Sequence, residues 1–213
     1  MDLSRFHFRF LRYARYARYA DDCNIYVNSR RAGERVMASI TRLLTTRLKL
    51  KVNETKSAVA RPWERKFLGF SFTNHRRPKR RIAPKALERF KEKIRELTSR
   101  TRGISLEQMV INLSRYLQGW RGYFGACETP SVLRELDSWV HRRLRAFLWK
   151  QWRRGKNKFA ELRKRNVSRD LAAQTAGSCH GPWRISKSPA LHIAFPTDFL
   201  MSLGIPRLAP KPA

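Results

Sequence analysis

The spacing of apolar residues changes character at Pro84. Upstream the pattern is short and alternating. Phe6, Phe8 and Phe10 fall on period two, and Cys23-Asn24-Ile25-Tyr26-Val27 is rich in aromatic and β-branched residues, so both stretches predict strands. This places Arg18-Tyr19-Ala20-Asp21-Asp22 at or beside a hairpin turn. Val36, Ile40, Leu43, Leu44 and Leu48 recur at helical spacing and predict a helix over 30–49 that packs on the hairpin's sheet. Leu50 to Val52 reads as a short strand and Asn53 to Lys56 as a turn. Residues 66–72 read as a strand in which Gly69 permits a bulge or close backbone approach. A very basic turn over 74–81, with Arg76, Arg77, Lys79 and Arg80, leads to Arg81-Ile82-Ala83 as a strand pairing back.

Downstream of Pro84, which suits a first helical position, the apolar period is that of helices. Leu87, Phe90, Ile94 and Leu97 form one stripe, ending near Gly103. Ser105 with Gln108 is a capping-box pattern for a second, carrying Leu106, Met109, Leu113, Leu117 and Trp120. Thr129-Pro130 opens a third, with Leu133, Leu136, Val140, Leu144, Phe147 and Leu148 inward and Arg142, Arg143, Arg145 and Lys150 outward. These stripes predict a small helical bundle. Beyond Gly155 the chain is polar and basic through Asn166, with a short helix from Ser168 to Ala176. The remainder has apolar anchors but many breakers, and the expectation is a partly ordered tail docked by its aromatic residues. The fold class is α+β, with segments 1–83, 84–154 and 155–213.

Charge narrows the function. Lys and Arg number 47 against 16 acidic residues, and the net charge of +31 is spread over every segment. Charge at that density repels itself unless a polyanion neutralises it. Because 42% of residues are hydrophobic and six are Trp, this is no disordered basic tail. A folded, basic, aromatic chain points to nucleic acid. No apolar run approaches the roughly 20 residues of a membrane span, and Arg5, His7, Arg9 and Arg12 interrupt any apolar leader. Cys23, Cys127 and Cys179 are widely separated, which suggests a reducing, cytoplasmic setting without a zinc or disulfide framework.

The triplet Arg-Tyr-Ala is written three times over 12–20. A period of three fits neither strand nor helix, so its tyrosines cannot all share one regular face. The triplet reads either as an Arg/Tyr nucleic-acid surface or, as the favoured reading, as a repeat expansion without a selected role. Asp21-Asp22 offers hard oxygen ligands to a divalent ion such as Mg²⁺, although Asp-Asp is also ordinary turn chemistry.

The order of these pieces carries a resemblance. Tyr19-Ala20-Asp21-Asp22 in a hairpin, an amphipathic helix, Asn53 to Lys56, then Phe67-Leu68-Gly69-Phe70 resembles the second half of a reverse-transcriptase palm. Tyr116-Leu117-Gln118-Gly119-Trp120-Arg121-Gly122-Tyr123-Phe124 is similar to the maturase-specific thumb of group II intron-encoded proteins. Gly181-Pro182-Trp183 and Leu203-Gly204-Ile205 resemble the tails of bacterial members. The resemblance implies that residues 1–83 are a partial palm, 84–154 the thumb and 155–213 a basic C-terminal region.

It further implies that Asp21 binds a catalytic Mg²⁺ pair, with Asp22 in the same charge cluster. One ion would activate a primer hydroxyl and the other neutralise pyrophosphate. Tyr19 would lie under the nascent base pair, Lys56 would position or protonate pyrophosphate, and Phe67, Leu68 and Gly69 would form the primer grip. Core packing is the safer reading for Phe67 and Leu68, and an exposed turn lysine is an equal alternative for Lys56. The thumb would lay Arg142, Arg143 and Arg145 along group II intron RNA or an RNA–DNA hybrid, read through phosphates and shape. Trp120 and Tyr123 are read as core rather than base-stacking residues.

Relatives carry fingers and a first palm half before the turn, including another metal-binding aspartate. Here only 20 residues precede Asp21, and Asp2 is in no equivalent motif. The expectation is therefore an RNA-binding portion of a reverse transcriptase/maturase that does not polymerise alone. Its metal site would be incomplete, its palm edge and apolar surface exposed, and its partner a separately encoded N-terminal half. A stand-alone splicing factor and a non-functional truncated remnant are the alternatives. No endonuclease pattern follows residue 155, and His141, His180 and His192 form no nuclease cluster by spacing.

Overall fold

The computed structural model describes residues 15–20, 22–99 and 103–210, which divide into two compact units meeting at Asn74 and His75. The described chain is mostly helical with a few short strands, an α+β composition.

In the first unit, β1 (Arg15–Tyr19) pairs antiparallel with β2 (Asp22–Tyr26), Arg15 opposite Tyr26 and Tyr19 opposite Asp22. The Arg-Tyr-Ala repeat itself makes β1; Phe6, Phe8 and Phe10 lie outside the described residues. Strand alternation sends Tyr16 and Tyr19 to opposite faces, as a period of three requires. α1 (Arg30–Arg42) starts on Ser29, whose hydroxyl accepts from Ala32 N at 3.2 Å. It continues into a π-helical turn, Leu43–Arg47. There Thr45 and Thr46 hydroxyls donate back to Thr41 O at 2.8 Å and Arg42 O at 2.6 Å, competing with the ordinary ladder. No described residue of β1, β2 or α1 is buried, despite the apolar stripe of the helix.

Two strand expectations are corrected in this unit. Leu50 to Val52 is not a strand; Leu50 N donates to Leu44 O at 2.9 Å and closes the helix end. Phe67-Leu68-Gly69-Phe70 is a tight turn rather than strand interior. Phe67 and Phe70 exchange both backbone hydrogen bonds at 2.9 Å, while Leu68 and Gly69 take φ of 49° and 75°. Two successive positive φ values are the geometry of a type I′ turn, which matches the twist of a hairpin. The strand that follows, β3, is Phe70–Phe72, and Phe72 meets Tyr26 edge to face with ring centroids 6.4 Å apart.

The second unit opens with β4 (Arg80–Ile82) and α2 (Pro84–Leu97), followed by α3 (Leu106–Phe124) and α4 (Pro130–Gln151). Ser105 caps α3 through Gln108 N at 3.1 Å, but the Gln108 amide turns to Asn112 instead of closing the box. Phe90, Ile94, Met109, Leu113, Leu117, Leu133 and Leu144 are fully buried where the three stripes meet. Trp120 belongs to this core, its ring 4.5 Å from that of Phe90, whereas Tyr123 is exposed.

After α4 come α5 (Gly155–Lys164), α6 (Arg169–Ala176), α7 (Pro182–Ile185), α8 (Pro189–Ala194) and α9 (Thr197–Ser202). The expected partly ordered tail is instead built into the core through residue 209. Leu191, Phe195, Leu200, Ile205 and Leu208 are buried. Trp152 stacks on Phe195 at 5.5 Å, and Arg165 lies 5.0 Å from the Trp152 ring. Breakers set the lengths of these short helices; the apolar residues between them decide that they pack.

Candidate nucleic-acid interface

The hairpin presents its turn to solvent. Tyr19 is 63% exposed, so it is neither a core aromatic nor sheltered within the described residues. Arg18 Nε donates to Ala20 O at 2.9 Å, and Ala20 adopts φ of 50°. Burial raises the Cys23 thiol pKa, opposed by Arg18 across the strand pair. Asp21 lies outside the described residues. Asp22 is exposed, and no group of three or more His, Cys, Asp or Glu among the described residues could hold a metal ion.

Lys56 is exposed on a turn whose backbone N–H is held by Asn53 O and Oδ1, each at 3.2 Å. Phe67 is half-buried, Leu68 is exposed and Gly69 half-buried, all within the type I′ turn. Arg76, Arg77 and Lys79 are exposed in the connection before β4. Arg80 bonds instead to the α3–α4 connection. Its Nη2 donates to Ala126 O at 2.6 Å, and its backbone exchanges bonds with Glu128, whose carboxylate accepts at 2.5 Å.

The arginines of α4 correct the expectation of an outward basic face. Arg143 is half-buried, and its Nε and Nη2 donate to Thr98 Oγ1 at 3.2 and 2.9 Å. Burial lowers its pKa, and Arg95 pushes the same way. Arg142 lies 3.7 Å from the centroid of the Trp183 ring, with Nη2 donating to Trp183 O at 2.9 Å and Nε to Ser186 Oγ at 3.3 Å. Arg145, 5% exposed, donates Nε to Phe195 O at 3.0 Å. Only Lys150 of the expected outward set is exposed.

Arg142 and Arg145 stand one helical turn apart and line a cleft of about 390 Å³ with His141, Lys187, His192 and Thr197. Ser138, Trp139 and Ser186 complete its walls, so every ionisable group lining it is basic. Burial lowers the His141 pKa; Asp137 opposes this, while Arg145 and Arg207 reinforce it. His192 is lowered by burial and then by Arg145. Asp137 itself accepts from Leu208 N at 2.8 Å and Ala209 N at 2.9 Å. Spacing along the chain separates His141 from His192, and only the docking of α8 on this side of α4 puts both in one cleft. Lys187 and Thr197 went unseen in the sequence, and His192 was set aside, because no local period links them to Arg142.

The family model of the group II intron maturase-specific domain matches residues 87–166. This part of the chain is similar to a maturase-specific domain. No curated protein matches the chain. The matched stretch runs from α2 through α5 and contains the arginines of the cleft, whereas Lys187, His192 and Thr197 lie beyond its end. Basic residues are exposed along its later part, among them Arg153, Arg154, Lys156 and Arg163. No described helix is long and apolar enough to cross a membrane.

Proposed function

We propose that this protein binds group II intron RNA and assists splicing, with the RNA supplying the chemistry. The observation that carries this reading is the maturase-specific match over 87–166, in a chain of net charge +31. Side chains offered to solvent from 153 to 163 are mainly cationic and lie on helix α5 or just before it, a surface suited to phosphates rather than base edges. An RNA–DNA hybrid, also A-form-like, is a second ligand under the same physics.

The test is binding of the full chain to a group II intron transcript and to an unrelated RNA of equal length across a salt series. The intron should bind more tightly, with affinity falling steeply as salt rises because each neutralised phosphate releases counterions. Equal affinity for both RNAs would sink the splicing assignment. Primer extension with Mg²⁺ is the parallel assay. Extension that Asp21→Asn abolishes would replace the binding reading with a polymerase, whereas no extension is expected from the chain alone.

A further inference from the structure

We propose that the cleft between α4 and the short helices α7 to α9 seats one backbone phosphate of the bound RNA, with Arg145, Lys187 and Thr197 as its direct contacts. This rests on the RNA-binding reading above and adds a defined contact to it. Arg145 is a buried residue whose Nε alone has an acceptor among the described residues, Phe195 O. A guanidinium carries five N–H donors, and no described carboxylate pairs with those remaining: the ion pairs among described residues are Arg30–Glu34, Lys93–Glu96, Lys164–Glu161 and Arg165–Glu161. Its other nitrogens are not among the fully buried unpartnered atoms, so they open to solvent in the cleft, where an anion can replace water at them.

The rest of the cleft agrees. The hydroxyls of Ser138 and Thr197 line it and have no hydrogen-bond partner among the described residues, and neither has the Lys187 ammonium group. Arg142 is already fixed by Trp183 and Ser186, so a ligand there meets a wall that need not be ordered on binding. About 390 Å³ accommodates a phosphate with its ribose but not a duplex. The walls join the matched stretch to the segment beyond it, so a phosphate would engage both.

The experiment compares Lys187→Gln and Thr197→Val with Lys85→Gln, an exposed lysine on α2, for intron RNA binding by the full chain over a salt series. Thr197→Val leaves net charge unchanged, and loss of one hydroxyl contact should weaken binding about 2- to 10-fold. Lys187→Gln should lower the salt slope by about 0.7, the value for one single-stranded phosphate. If both cleft variants behave like Lys85→Gln while the wild type binds RNA, the cleft proposal fails and the RNA-binding reading stands. If the wild type binds no RNA, both fail. A second arm follows the His192 ring resonances during titration with inorganic phosphate and with a mononucleotide. Shifts that Lys187→Gln weakens, saturating only at millimolar levels, support an RNA phosphate; micromolar saturation by the mononucleotide would assign the cleft to a small ligand and overturn the proposal.

Discussion

Arg142 lies against Trp183 twice over, its guanidinium 3.7 Å from the indole centroid and its Nη2 2.9 Å from the same residue's carbonyl oxygen. The pair ties α4 to α7 across 41 residues of sequence. Trp183→Ala should cost about 1–2 kcal/mol in urea unfolding, within the range for a cation–π contact plus lost apolar area. In a double-mutant cycle with Arg142→Gln, the two losses should fall short of additivity by about 0.5 kcal/mol or more. Additive losses would mean that the stacking is incidental.

Asp137 anchors the chain after α9 by accepting from two consecutive backbone N–H groups, Leu208 and Ala209. Hydrogen bonds to a charged acceptor contribute about 1.5–3 kcal/mol, so Asp137→Ala should destabilise by that order. Hydrogen exchange at Leu208 and Ala209 should accelerate before exchange in α3 does. Uniform acceleration throughout the second unit would show that this anchor has no local role.

The second unit should lose stability as pH falls through the range near 6.5. His141 has a folded pKa below its ordinary 6.5, because burial disfavours the charged ring. The unfolded chain therefore binds more protons between the two values, and stability rises with pH across that window. His192 contributes in the same direction. Thermal melts at pH 7.5 and 5.5 should differ more for the wild type than for His141→Gln. Identical shifts would remove His141 as the cause.

Gly33 is the tight point of the first unit. A Cβ there would lie 2.7 Å from Val59 Cγ1 and 3.5 Å from Val27 Cγ2. Alanine in an exposed helix interior normally stabilises by about 1 kcal/mol over glycine. Here overpacking should outweigh that gain, with a net loss of about 1–2 kcal/mol. Val59→Ala in the same chain should restore part of it, measured by proteolysis of the first unit. A stabilised Gly33→Ala single variant would refute the contact.

Local rules made much of this molecule readable. The stripes Phe90-Ile94, Met109-Leu113-Leu117 and Leu133-Leu136-Val140-Leu144 are buried as their spacing predicts, because helix geometry fixes which residues share a face whatever the partner. Ser105 caps α3 for the same reason: the bond lies within one turn. The resemblance to the maturase family also rested on residue order, and the match over 87–166 agrees with it. Pattern was weaker where apolar runs were short. Phe67 to Phe70 has the composition of a strand, yet Gly69 lets the backbone turn back within it, and Leu68 follows into positive φ.

What the sequence could determine by itself was helices α1 to α4 and α6, the family resemblance and the cationic character, all properties of neighbouring residues or of sums over the chain; α5 and α7 to α9 were not legible in it. Which arginine faces water was decided by tertiary structure alone. Arg142, Arg143 and Arg145 look alike in sequence, but Trp183, Thr98 and the Phe195 carbonyl, each more than 40 residues away, take one apiece. A long guanidinium goes where distant acceptors and rings allow its desolvation to be offset, and no local period encodes that choice.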